Sequence, residues 1–69
     1  MKNDGVKYMT LNEKGGAAMI FDEWFMAMDL IDYLLNKTET HSMVLFELVD
    51  GKIVNGIRYI EDGRQEVVI

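Results

Sequence analysis

The chain of 69 residues contains no cysteine. A domain this short buries only about 60% of its unfolded surface, and small domains often compensate with disulfides, a metal ion or a second subunit. Disulfides are excluded here, so oligomerisation is one route to stability. The absence of cysteine agrees with a reducing compartment, and residues 1–20 show neither the basic start nor the apolar run of a secretory signal. We therefore expect a cytoplasmic protein.

Long apolar runs are also missing. The longest nearly uncharged stretch, residues 15–21, is far below the roughly 20 apolar residues that span a bilayer. Aspartates interrupt the apolar sequence that follows it. We therefore expect no membrane span.

Positive charge is absent from residues 15–36, which hold four acidic side chains: Asp22, Glu23, Asp29 and Asp32. The net charge is −5, and the rest of the chain is nearly balanced, with eight acids and seven bases. Phosphate backbones and anionic lipids are bound through Lys and Arg, so we expect no direct contact with nucleic acid or membrane. The same charge favours docking on a basic surface of a protein partner.

Strand patterns occur on both sides of this acidic segment. Residues 6–11 and 17–21 are predicted as a hairpin around residues 12–16. Residues 43–49 and a strand from 52 to about 60 flank Asp50-Gly51, a strong two-residue hairpin signal. A last strand follows over 64–69. The sequence predicts one α+β domain over residues 1–69, in the order ββαβββ, with a hairpin, a helix and a three-stranded antiparallel meander packed on the helix.

The pairing of the second hairpin predicts which side chains form the core. Counting outward from the turn, the pairs are Leu48 with Ile53, Phe46 with Asn55 and Val44 with Ile57. The predicted core face consists of Val44, Phe46, Leu48, Ile53 and Ile57. We interpret Asn55-Gly56 as a β-bulge within the longer strand.

The acidic segment itself is predicted as an amphipathic helix, with Asp22 as N-cap and an end near Asn36. Helical spacing puts six apolar residues on one side as the core face: Trp24, Ala27, Met28, Ile31, Leu34 and Leu35. The other side mixes large apolar groups with carboxylates, and such a surface usually contacts a partner. The candidate partner-binding residues are Asp22, Phe25, Met26, Asp29, Asp32 and Tyr33.

Catalytic chemistry has little support in this sequence. Asp29 and Asp32 lie three apart, but nothing supplies the pocket that would raise a carboxyl pKa for acid-base work. His41 is the single histidine, and it cannot form a zinc site without further His or Cys ligands. Gly15-Gly16 is not followed by the Lys-Ser/Thr of a phosphate loop. We predict no catalytic residue, no metal site, no cofactor and no enzymatic activity.

Two functions from different classes remain. In size, acidity and lack of cysteine the chain is similar to phage-encoded inhibitors such as anti-restriction, anti-CRISPR and glycosylase-inhibitor proteins, although no family motif accompanies the similarity. This similarity favours a small acidic protein-binding module. The most specific version of this hypothesis is an inhibitor that docks on the basic nucleic-acid-binding surface of a host or defence enzyme. The alternative is a structural homodimer or accessory subunit, in which the surplus helix face or the last strand contacts a second copy.

Overall fold

The computed structural model describes residues 5–69 and shows one α-helix packed on one face of a five-stranded antiparallel sheet. The elements are β1 (Val6–Leu11), β2 (Ala18–Phe21), α1 (Trp24–Lys37), β3 (Ser42–Val49), β4 (Lys52–Ile60) and β5 (Gln65–Val67). The predicted α+β class and the order ββαβββ are confirmed.

The strands lie side by side in the order β2-β1-β3-β4-β5. The predicted meander is present as β3-β4-β5. The N-terminal hairpin does not form a separate layer, because β1 pairs with β3 over its whole length, from Val6 opposite Val49 to Leu11 opposite Val44. The hairpin and the meander therefore share one sheet, and α1 connects β2 to β3 across its face.

A β-bulge in β4 separates Ile57 from the other four members of the predicted core face. Leu48 pairs with Ile53, as predicted, but Glu47 pairs with Asn55, so Val54 is an extra residue. We predicted the bulge one residue later, at Asn55-Gly56. A shift of one residue turns every following side chain to the other face.

As a result the observed partners beyond the bulge are Gly56 for Phe46, Ile57 for Leu45 and Arg58 for Val44. Directly opposed residues share a face of the sheet, so Leu45 and Ile57 lie on the same side. The core confirms that this is the helix side, because Leu45 belongs to the buried cluster under α1. The other four members of the predicted core face lie on the opposite side: Val44, Phe46, Leu48 and Ile53. Val44 is nevertheless buried there, as predicted, with 2% of its surface exposed.

The core is centred on the inner side of the helix. Ala27 and Ile31 are fully buried against Met43 and Leu45. Partly buried residues packed around them are Tyr8, Phe21, Met28, Leu34, Leu35 and Tyr59. The predicted helix core face is correct for all its members except Trp24, whose residue surface is 51% exposed.

The helix begins one residue later than the predicted cap implies. Glu23, in extended conformation, is the N-cap residue, and its side chain makes no capping hydrogen bond. Asp22 instead pairs with Lys7, which lies beside it across the β1-β2 hairpin. At the other end α1 continues to Lys37, one residue beyond the predicted stop, and the Thr38 hydroxyl donates to the Leu34 carbonyl at 2.6 Å.

One helix cannot cover this sheet. Five strands about 4.8 Å apart span about 19 Å, whereas a helix with its side chains is about 10 Å wide. The helix packs mainly on β1, β2 and β3. The helix side of β4 and β5 is left open beside it, and within residues 5–69 no helix lies on the opposite face of the sheet.

Candidate protein-docking surface

The outer side of α1 carries three large apolar side chains at the protein surface. Phe25 is 57% exposed, Met26 46% and Tyr33 58%. Their exposure follows from the helix phase, because the positions that face the sheet are occupied by Ala27 and Ile31. The prediction that these three residues are surplus to the core is confirmed.

Two carboxylates lie among these apolar groups. Asp29 and Asp32 are exposed, and Asp29 is one helical turn from Phe25 and from Tyr33, at the spacing that makes side chains neighbours on a helix surface. Lys37 is the basic residue of the last turn. The outer surface of α1, which we define as Phe25, Met26, Asp29, Asp32 and Tyr33, is therefore both apolar and negatively charged.

The sixth predicted residue does not belong to this surface. Asp22 precedes the helix and pairs with Lys7 of β1. Its charge is thus balanced locally, at the junction of β2 and α1. The structure brings five of the six predicted residues together and separates Asp22 from them.

A furrow runs between α1 and the uncovered strand β4. Its first part, the Trp24 hollow, has a volume of about 280 Å³ and is lined by Tyr8, Trp24, Leu45, Glu47, Asn55, Ile57 and Tyr59. Its second part, of about 260 Å³, is lined by residues that include Asp32, Tyr59, Glu61 and Arg64. Tyr59 lies on the border of both parts.

Hydrogen bonding and charge define the floor of the Trp24 hollow. The Asn55 Nδ2 group donates to Glu47 Oε1 at 2.6 Å across the β3-β4 pair. Burial, and secondarily the negative charge of Asp32, raise the pKa of Tyr59 above its ordinary value. The Tyr59 ring is therefore neutral at physiological pH.

Sequence reasoning missed this hollow because its residues come from four different elements. Tyr8, Trp24 and Tyr59 are far apart in the chain and meet only through the strand order. One signal was available: Glu47 is the single charged residue of β3 and interrupts its apolar run. A carboxylate at that position marks a place where the face of the sheet is not covered.

The opposite face of the sheet is apolar as well. Its residues include Met9, Leu11, Val44, Phe46, Leu48 and Ile53, by their register across β1, β3 and β4. Arg58 lies on this face between Glu13 and Glu66, and hydrogen-bonds both carboxylates. These three charges are thus paired with one another, and Lys7, on the same face, pairs with Asp22.

The fold and these surfaces define a small α+β domain with an exposed acidic and aromatic helix. Comparisons with protein-family models, with curated proteins and with solved structures found no match in any of the three. Within residues 5–69 no helix has the length and apolar character needed to cross a membrane. In the same part of the chain, His, Asp and Glu side chains form no group of three that could hold a metal ion.

Proposed function

We propose that this protein is a non-enzymatic binding module that docks through the outer surface of α1 on a basic surface of another protein. The observation that supports it best is the exposure of Phe25 and Tyr33 beside Asp29 on a helix whose core-facing positions are already filled. We propose the cytoplasm as the location of this binding, as the sequence predicts.

The composition of this surface suits such a contact. Aromatic side chains that become desolvated at the centre of an interface carry most of its binding energy. Carboxylates around them accelerate association with a basic partner and fix its orientation. Because the excess negative charge of the chain is concentrated in residues 15–36, the electrostatic attraction acts on this side of the molecule.

The most specific version of the proposal is an inhibitor that covers the nucleic-acid-binding surface of a host or defence enzyme. Such a surface is basic, since its affinity for nucleic acid depends on Lys and Arg. We expect mixed apolar and acidic contact rather than imitation of a phosphate backbone. Asp29 and Asp32 are separated by about 5 Å along the helix axis, and Asn36, one turn further, is uncharged.

Affinity capture from the native host tests the binding function. The unmodified protein should retain a partner that the double variant Phe25→Ala/Tyr33→Ala loses. The matched control is Met19→Ala/Ile20→Ala, which removes apolar groups of similar exposure from β2. Equal capture by the helix variant and the unmodified protein contradicts the proposed surface.

Charge and competition experiments test the partner's chemistry. Asp29→Lys should weaken the captured complex and reduce its salt dependence, whereas Glu39→Lys, which makes the same charge change in the exposed connection after α1, should have a smaller effect. A double-stranded DNA or an RNA added in excess should release the partner if its nucleic-acid site is covered. Capture that is insensitive to salt and to both nucleic acids contradicts the inhibitor form.

A homodimer is the second candidate, and the opposite face of the sheet favours it. This face presents apolar side chains, while its charged groups are internally paired, so two copies can stack without bringing like charges together. Pairing through the outer surface of α1 would instead place Asp29 near its symmetry mate. Sedimentation equilibrium should then show a dimer that Leu48→Asp dissociates and Phe25→Asp does not. A monomer at micromolar concentration removes this candidate.

A further inference from the structure

The Trp24 hollow has the chemistry of a cation site. Two tyrosine rings and one tryptophan ring, from Tyr8, Tyr59 and Trp24, line it together with the carboxylate of Glu47. Faces of aromatic rings attract cations through their quadrupole, and tryptophan does so most strongly. The one formally charged group in the lining is negative.

The polar side chains on its floor, Glu47 and Asn55, both offer acceptor oxygens. Asn55 donates one Nδ2 hydrogen to Glu47 Oε1, and its Oδ1 atom is an acceptor. Among residues 5–69, no Lys or Arg forms an ion pair with Glu47. A ligand that brings only donors and a positive charge matches this floor, whereas an anion does not.

The size of the hollow is sufficient for a single side chain. Its volume of about 280 Å³ lies at the lower limit of the range of about 300–1,000 Å³ that is typical of pockets for whole small-molecule ligands. The second part of the furrow shares Tyr59 with it and is lined by Asp32 of the outer surface. A partner seated on the outer surface of α1 can therefore reach it.

We propose that the Trp24 hollow binds the guanidinium group of one arginine side chain supplied by the basic partner. Arginine has five N–H donors and no acceptor. Its planar group stacks on aromatic rings, forks onto a carboxylate and is less strongly hydrated than the lysine ammonium. The identity of the arginine's source rests on the proposed function, but the site itself is tested without a partner.

The test uses N-acetyl-arginine amide as a probe, with N-acetyl-citrulline amide as its neutral control of nearly the same shape. Trp24 is the single tryptophan, so one indole N–H signal in a two-dimensional NMR spectrum reports on the hollow. The arginine probe should shift that signal saturably at millimolar concentrations. The citrulline probe should bind at least about fivefold more weakly. N-acetyl-lysine amide should also bind more weakly.

Glu47→Gln removes the negative charge while keeping the size of the side chain, and it should abolish the preference for arginine over citrulline. Glu39→Gln makes the same charge change outside both parts of the furrow and should leave that preference intact. The spectrum of each variant also shows whether it is folded. If Glu47→Gln does not fold, the comparison of the probes on the unmodified protein still decides whether the hollow prefers arginine.

Three results would overturn the site: no shift at tens of millimolar arginine probe, equal binding of citrulline, or tighter binding of the lysine probe. None of these results bears on Phe25 and Tyr33, so the proposed function can survive the loss of the site. The converse result is that the helix variants retain the partner while the arginine probe binds the unmodified protein. This result supports the arginine site and contradicts the outer surface of α1 as the docking surface.

Discussion

Glu13 and Arg58 lie 45 residues apart in the chain, and two parallel hydrogen bonds of 2.8 Å join them, from Nε and Nη2 of the arginine to the two carboxylate oxygens. The third nitrogen, Nη1, donates to Glu66 at 2.9 Å. Such bidentate pairs are stronger than ordinary hydrogen bonds. This contact fastens the β1-β2 loop to β4 on the face of the sheet that no helix covers within residues 5–69.

The Glu13–Arg58 pair predicts part of the acid sensitivity. The hydrogen bonds from Arg58 hold the pKa of Glu13 below its ordinary value of 4.5. A carboxyl with a lowered folded-state pKa stabilises the fold above its unfolded-state value, and this contribution disappears as the pH falls through the folded-state value. The thermal midpoint should therefore decrease less below about pH 5 in Glu13→Gln than in the unmodified protein.

The control for the acid experiment is Glu39→Gln, a change of the same kind at an exposed position outside this cluster. Its thermal midpoint should follow the pH dependence of the unmodified protein. Parallel curves for the Glu13 variant and the unmodified protein would show that the pair contributes nothing to stability.

Gly56 is predicted to be sensitive to the addition of one methyl group. A Cβ atom at this position would lie 2.8 Å from Val68 Cγ2 and 2.9 Å from Phe46 Cδ1. Overpacking of this kind destabilises a core by about 1–3 kcal/mol. Urea denaturation of Gly56→Ala should show a loss of this size.

Gly15→Ala is the matched control for Gly56→Ala, since nothing lies within 4 Å of its added Cβ atom. We expect its unfolding free energy to stay within about 0.5 kcal/mol of the original. Equal effects of the two alanines would mean that Phe46 and Val68 do not pack against Gly56.

The two sides of α1 should differ sharply in their contribution to stability. Ile31 is fully buried, and its truncation to alanine should lower the free energy of unfolding by about 2–5 kcal/mol. Phe25→Ala removes a larger side chain from the outer surface and should change the free energy of unfolding by about 0.5 kcal/mol or less. A large loss of stability in Phe25→Ala would mean that this ring belongs to the core and not to a docking surface.

The Asp50-Gly51 turn should tolerate little change at its glycine. Both residues have positive φ angles, of 51° and 81°, as the primed hairpin turn requires. Residues with a Cβ atom disfavour this conformation by about 1–2 kcal/mol, so Gly51→Ala should lower the urea midpoint. Asp50→Asn should preserve it, because asparagine also adopts the left-handed conformation. A midpoint unchanged by the alanine would contradict the turn.

The sequence was sufficient to locate the strands and the helix, because local signals mark them. Asp50-Gly51 indicates its hairpin through backbone conformation, and the spacing of Ala27 and Ile31 indicates the inner side of α1. The core face of the sheet was not predictable in the same way. Apolar residues occupy both faces of β3, so alternation does not show which face meets the helix. The bulge at Val54 in addition places Ile57 on the side of Leu45 and not on the side of Val44.

The two candidate sites also differ in whether local sequence signals determine them. Phe25, Met26 and Tyr33 could be assigned to the outer surface because helical phase alone determines their exposure. The Trp24 hollow could not be predicted, since it depends on how far one helix extends over five strands. Asp22 was misplaced by a single residue at the start of the helix, where a carboxylate is equally suited to capping and to pairing with Lys7.

The extra residue at Val54 also limits how this chain can change in length. If Val54 paired regularly with Glu47, inside and outside would be exchanged along one half of β4, so that Ile57 and Tyr59 would lose the helix side while Arg58 gained it. Deleting Val54 would instead keep Ile57 opposite Leu45 and Tyr59 opposite Met43, as they are now. A single-residue insertion between Gly51 and Gly56 would add a second unpaired residue, so it should be far less tolerated during evolution than the deletion of Val54. It should also be less tolerated than length changes in the β1-β2 loop beyond Glu13, where no phase has to be kept.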